Sequence, residues 1–249
     1  MNYFGLDLSS LIVTIIAVFI AGVIRGYSGF GFAMVAVTSI SLVLPPARVV
    51  PLVLILEVMA SISLVPQVWR DIDWYSLHWL LAGSLLATPF GVYLLANIPA
   101  DPMRISISLL VLVAAILLLR GWAWSSMPGK PLIFTIGVAC GILNGAAAIG
   151  GPPVILFYLS SPAGVTVSRA SIIAYFLGID TISLIMASLQ GLTTFQTLFL
   201  TGVCLAPLLI GIAVGSRQFT KVDKESFRHH VLVLLIILAI AGLLRGIIA

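Results

Sequence analysis

The sequence predicts an all-α integral membrane protein built from two structurally related halves. Three observations carry this: an extreme apolar composition, uncharged stretches long enough to cross a bilayer, and an internal repeat. Of the 249 residues, 61% are hydrophobic and 8% charged, and the mean hydropathy is +1.24. A soluble domain carries about 25% charged residues, so this composition cannot supply a water-soluble surface. Stretches 74–100 and 181–216 contain no Asp, Glu, Lys or Arg, and about 20 apolar residues suffice to cross the hydrocarbon core.

The elements follow from punctuation by Gly, Pro and charge. In the first half, apolar segments are expected at about 9–24, 31–44, 49–66, 76–98 and 103–119, and in the second at about 132–143, 151–160, 169–189, 194–216 and 228–247. This gives a first membrane repeat over 1–120, a linker over 121–131 and a second repeat over 132–249. An offset of about 119 residues superposes Gly22, Arg25 and Gly26 on Gly141, Asn144 and Gly145, and Gly31 on Gly150. Pro89 and Pro207 also keep step. Such self-similarity at one fixed spacing is the mark of a duplicated unit. Each half is expected to open with two short helices around a glycine-rich break, 25–31 in the first and 144–151 in the second.

The basic residues say how the halves are oriented. If each half makes an odd number of crossings, Arg70, Arg120, Lys130, Arg169, Arg217, Lys221, Lys224 and Arg228 share one side against Arg48, Arg104 and Arg245. Positive charge accumulates on the cytoplasmic side, so the pattern favours inverted repeats with Arg217–Arg228 in the cytoplasm and both termini outside. The formal net charge of +4 is dispersed between apolar segments rather than gathered on one face, which argues against nucleic acid as a partner. Cys140 and Cys204 both fall inside apolar segments and read as small buried hydrophobes. No Lys or Arg precedes Arg25, so the first apolar segment lacks the basic flank of a cleaved signal peptide.

Chemistry is expected at the two breaks. Unwound backbone survives at membrane depth only where it is buried in protein or lines a cavity, and matched breaks in two halves point to a substrate site near the midplane. Helices restarting there present N-terminal amides that suit an anion, and Pro152 and Pro153 fit the first turn of such a helix. Gly22, Gly26, Gly141 and Gly145 could equally be close-packing positions between helices. Arg25, inside an apolar segment, either binds an anion through its planar fork of donors or pairs with Glu57 or Asp180. Asn144 occupies the matching place in the second half. The substrate-binding set is therefore Arg25, Ser28, Gly29, Asn144, Gly150 and Gly151. Glu57 and Asp180 are candidates for coupling to a proton or cation, or for ion pairing, and Arg48 for an anion entrance. His78, His229 and His230 have no partner at metal-ligand spacing, and no Walker, nucleophile-elbow or redox motif occurs. Neither a metal, a cofactor nor catalysis is expected. Removing the Arg25 charge with Arg25→Gln is expected to weaken anion binding without unfolding the protein.

The run Gly22-Val-Ile-Arg-Gly-Tyr-Ser-Gly-Phe-Gly-Phe and its counterpart Gly141-Ile-Leu-Asn-Gly-Ala-Ala-Ala-Ile-Gly-Gly-Pro-Pro resemble the sulfite exporter TauE/SafE family, and the similarity extends along the whole chain. The resemblance implies an inner-membrane permease that moves a sulfur-containing anion, such as a sulfonate, sulfoacetate or sulfite, without hydrolysing ATP itself. The two runs are unequal: Arg25 and Ser28 correspond to Asn144 and Ala147, an arrangement suited to a ligand with one anionic end. An anion channel, or a carrier of another small carboxylate or oxyanion, would use the same donors. Homo-oligomerisation is compatible with the sequence.

Overall fold

In hydrocarbon an unpaired backbone N–H or C=O costs several kcal/mol, and a helix satisfies every such group within one segment. The computed structural model accordingly folds the apolar segments as helices. It describes residues 7–28, 30–120, 128–159, 164–218, 233, 236–237 and 239–244. Their order is α1 (Leu8–Ser28), α2 (Phe32–Ile40), α3 (Pro46–Val68), a 3-10 turn (Trp69–Asp71), α4 (Trp74–Asn97), α5 (Ala100–Arg120), α6 (Lys130–Ala147), α7 (Gly151–Leu159), α8 (Gly164–Leu189) and α9 (Phe195–Gln218). Residues 233, 236–237 and 239–244 are also helical. Among the described residues, seven helices are long and apolar enough to cross a membrane: all of these except α2 and α7. The chain is a multi-pass membrane protein.

The repeat expected from the sequence reappears in the element lengths. α2 and α7 have 9 residues each and begin 119 positions apart, at Phe32 and Gly151. The opening pair, however, is one long helix and one short one rather than two short ones, because α1 and α6 run for 21 and 18 residues. The first segment was expected to stop before Arg25, but the helix continues through Arg25, Gly26 and Tyr27. It can do so because Arg25 is buried beside a carboxylate instead of facing lipid. The breaks themselves lie just beyond: Gly31 adopts φ 90° at the head of α2, and Ala148 adopts φ 55° after α6. Glycine visits that left-handed region without penalty. Ala148 is held there by its amide donating to the Asn144 carbonyl at 2.7 Å.

Two helix pairs packed backbone to backbone frame the molecule, α1 on α9 and α4 on α6. A Cβ added at Gly22 would lie 2.9 Å from the Leu208 carbonyl oxygen, and one at Gly141 2.6 Å from that of Ser84. Gly22, Gly26, Gly141 and Gly145 are therefore close-packing glycines, and the small side chains stand where helices approach most closely. Contacts advance together along both pairs: Gly22 meets Leu208 and Gly26 meets Ile212, while Gly83 meets Gly137 and Gly145 meets Thr88 and Val92. Each pair thus runs in one direction. α4 and α8 are also co-directional, since the Asp73 amide donates to Ser171 Oγ at 2.8 Å and, further along, Ser84 Oγ meets the Tyr175 hydroxyl at 2.7 Å. α3 packs against α8.

The end of the bundle where α4 and α6 begin carries an aromatic and basic fringe. Trp69 packs edge-on against Trp74 at 4.7 Å, and Lys130 Nζ lies 5.8 Å from the Tyr75 ring and 5.7 Å from that of Trp79. Aromatic rings and snorkelling amines of this kind gather at a membrane–water interface. Cys140 and Cys204 are free and buried.

Candidate functional site at the two helix breaks

Arg25 sits three residues from the end of α1 with a relative exposure of 0%, and it finds its partners on α3. Its Nη1 lies 2.7 Å from Glu57 Oε2, and its Nη2 donates to Ser61 Oγ at 2.8 Å. The other Glu57 oxygen accepts from the amide of Ala33 at 3.2 Å, in the first turn of α2. A carboxylate thus sits between a guanidinium and the N-terminal amides of a short helix, an arrangement that favours negative charge through both the cation and the helix dipole. Ser61 follows Glu57 by four residues, one helical turn, so both face Arg25.

The second half builds a version of the same cluster with the Asn144 amide in place of the guanidinium. Asn144 Nδ2 donates to Asp180 Oδ1 at 2.9 Å and to Ser183 Oγ at 3.0 Å, while Asn144 Oδ1 accepts from the Gly150 amide at 3.1 Å. Asn144 and Asp180 are both buried. Asn144 was expected to offer its amide hydrogens to a ligand. In this arrangement it instead joins the end of α6, the break and α8, because its carboxamide fits the hydrogen-bonding groups of all three. Gly150 is needed for the same reason: a Cβ there would lie 2.9 Å from Asn144 Cβ and 3.0 Å from the Cys140 carbonyl oxygen. Gly150→Ala is expected to push Asn144 aside and destabilise the protein by roughly 1–3 kcal/mol, the usual cost of overpacking, read as a lowered melting temperature in detergent.

The two clusters meet. Arg25 Cζ lies 5.3 Å from the ring centroid of Phe176 on α8, one turn before Asp180. Asp180 lies within electrostatic reach of both Glu57 and Arg25. A crevice between the breaks is lined by Gly31, Glu57, Ala148, Gly151, Ile155 and Phe176. It has room for about one water molecule, so in this conformation a sulfonate-sized anion does not fit. Four buried polar atoms here have no hydrogen-bond partner: Arg25 Nε, Asp180 Oδ2 and, apart from the ion contact that joins them, Arg25 Nη1 and Glu57 Oε2. Buried polar groups are normally paired, so these atoms mark the crevice as a candidate site.

Of the residues singled out in the sequence, Arg25, Asn144, Gly150, Gly151, Glu57 and Asp180 converge on this region. Gly29 and the side chain of Ser28 lie outside the described residues. Arg48 stands apart, exposed, in a separate crevice with Thr194, Gln196 and Thr197. Sequence reasoning missed Ser61, Ser183, Phe176 and the Ala33 amide. A signal for the two serines was present, a serine one turn after each buried carboxylate: Glu57 to Ser61 and Asp180 to Ser183. Nothing local marks Phe176, which approaches Arg25 only through the crossing of the two halves.

The model of the family described as "Sulfite exporter TauE/SafE" matches residues 14–242. The chain belongs to the sulfite exporter TauE/SafE family. It is also 24% identical over 199 residues to the "Probable sulfite/organosulfonate exporter TauE" of Cupriavidus necator, a similarity covering 76% of this chain and 77% of that protein. No solved structure matches the chain. A family of membrane transporters agrees with the seven apolar helices described above.

Proposed function

We propose that this TauE/SafE chain is a secondary transporter that carries a small sulfur-containing organic anion, a sulfonate, sulfoacetate or sulfite, across the inner membrane by alternating access. The observation that carries the proposal is the buried Arg25 guanidinium between the two helix breaks, currently engaged by the Glu57 carboxylate. A substrate oxyanion would take over the guanidinium and the amides at the heads of α2 and α7, near Gly31 and Gly151, displacing Glu57. No catalysis is involved.

The repeats 1–120 and 132–249 would be inverted around this site. α8 and α9 are successive membrane spans joined by residues 190–194, and spans joined so briefly cross in opposite directions. α4 runs with α8, so α9 opposes α4, its counterpart in the first half. α1 runs with α9 and α6 with α4, so α1 and α6 are opposed as well. This geometry supports an odd number of crossings per half, with α2 and α7 each making part of a return, and it supports placing the Arg217 end in the cytoplasm. Inverted repeats around a central site allow one half to rock against the other, which would open the closed crevice to each side in turn.

The test is a thermal-shift screen of the detergent-purified protein against sulfite, sulfate, sulfoacetate, taurine, acetate and phosphate. A ligand that binds the native state alone stabilises it by about 2.7 kcal/mol at 100 times its Kd. We expect a rise in melting temperature of several degrees with a sulfonate or sulfite. The double variant Arg25→Gln/Glu57→Gln is expected to fold and to show no rise. Absence of any shift with every anion, or an unchanged shift in the double variant, would overturn the assignment.

A further inference from the structure

The charge inventory of the central site is unbalanced. Buried at the crossing of the halves are one guanidinium, Arg25, and two carboxylates, Glu57 and Asp180. Glu57 contacts Arg25 directly, whereas Asp180 accepts from the Asn144 amide on one oxygen and has no hydrogen-bond partner on the other. The groups facing these carboxylates do not correct the balance. Among the described residues, Asn144 and Cys140 come from α6, Ser84 and Thr88 from α4, and Tyr175 lies on α8 itself, all without positive charge, while Tyr158 of α7 bonds instead to Ser76 at 2.8 Å. α2 has no charged residue. The other charged residues of the packed elements, Arg48, Arg70, Asp71, Asp73, Asp101, Arg104, Arg120, Lys130, Arg169 and Arg217, all lie in the 3-10 turn or within two turns of a helix end. They sit toward the interfaces, where water and headgroups solvate them.

An anion entering this site brings negative charge to a place where the described residues supply one guanidinium, and it takes that guanidinium away from Glu57. Charge uncompensated at membrane depth is costly. Compensation must therefore arrive with the anion. A metal cation is poorly served, because hard cations take six or more oxygen ligands and the two buried carboxylates, Glu57 and Asp180, supply fewer. A proton needs only a carboxylate oxygen.

We propose that the anion binds together with a proton, carried by the Glu57–Asp180 pair, so that the carrier moves its substrate as an anion–proton pair. The inference rests on the anion site proposed above. The proton comes from bulk water, forms an O–H bond on one of the two carboxylates as the anion occupies Arg25, and leaves to water when the anion does. The first cluster is where the exchange is made: Glu57, freed from Arg25, no longer has a cation. The second cluster shares the proton through its open Asp180 oxygen.

The experiment uses the purified full chain and methanesulfonate, which stays monovalent throughout the range tested. Binding is followed by titration calorimetry in two buffers of different ionisation heat, from pH 5.5 to pH 8.5. We expect uptake of about one proton per anion bound, and an affinity that falls by up to about tenfold per pH unit as pH rises through the linked range. Glu57→Gln and Asp180→Asn are each expected to reduce the uptake, and the wild-type measurement stands alone if either variant fails to fold. Methanesulfonate binding with no proton uptake and equal affinity across the range would overturn the proton coupling and leave the anion site standing. Binding that instead requires sodium would overturn it in favour of a metal cation. Failure of every sulfonate to bind would overturn the anion site itself, and the coupling with it.

Discussion

Arg25→Met is expected to destabilise the protein by roughly 3–5 kcal/mol, the cost of leaving one member of a buried ion pair without its partner. Glu57, 2% exposed, would keep its carboxylate against the Ala33 amide with no cation beside it, and Ser61 would lose the Arg25 hydrogen bond. The double variant Arg25→Met/Glu57→Met is expected to recover most of that loss, because replacing a whole buried pair by apolar side chains of similar volume is often neutral or better. Melting curves of the four proteins in one detergent form the double-mutant cycle. A loss in the double variant equal to the sum of the two single losses would show that the pair is not coupled. The same reasoning corrects the expectation that Arg25→Gln alone would report cleanly on anion binding: it leaves Glu57 uncompensated, so a folding defect would be confounded with a binding defect. Removing both charges avoids this.

Gly141→Leu is expected to be comparably damaging, by about 3 kcal/mol, at the upper end of the usual overpacking cost. The added Cβ would fall 2.6 Å from the Ser84 carbonyl oxygen and 2.8 Å from Ser84 Cα. Both are backbone atoms in the middle of α4, so no rotamer change relieves the clash and α6 must move away. Ser84 is itself tied to α6 and α8, donating to the Gly137 carbonyl at 2.9 Å and meeting the Tyr175 hydroxyl. Separation would therefore loosen three helices at once. Yield of monodisperse protein on size exclusion and its melting temperature are the readouts. Gly202→Leu is the control: a Cβ there meets nothing within 4 Å, and that variant is expected to behave as wild type. A wild-type melting temperature for Gly141→Leu would mean that α4 and α6 are not held together at this point.

The sequence alone determined the solvent, the duplication and the places where helices break. Composition decides whether a chain can face water, and these apolar runs cannot. Glycine at 31 and 150 marks the breaks because each ends a run whose periodicity otherwise continues. The offset of 119 residues that aligned Gly31 with Gly150 also separates α2 from α7. Arg25, Glu57, Asn144 and Asp180 were legible as candidates because ionisable and amide groups within apolar segments are costly and seldom left unpartnered.

What the sequence left open was pairing, which depends on how helices cross. Arg25 had two carboxylates to choose from, and only the packing of α1 and α2 against α3 brings Glu57 to it at 2.7 Å. The glycine-rich motifs, matched across the repeat, favoured a ligand site over a helix contact, and at 22, 26, 141 and 145 the backbone of a neighbouring helix within contact distance decides for the contact. Asn144 looked like a free donor until Asp180, Ser183 and Gly150 claimed its polar atoms. Arg48 and Arg25 were both cations in the same half, yet one lies in an outer crevice and the other at the core. Hydrophobic periodicity records which face of a helix is buried, whereas the partner on that face is set by residues far away in the chain, and only the tertiary structure supplies them.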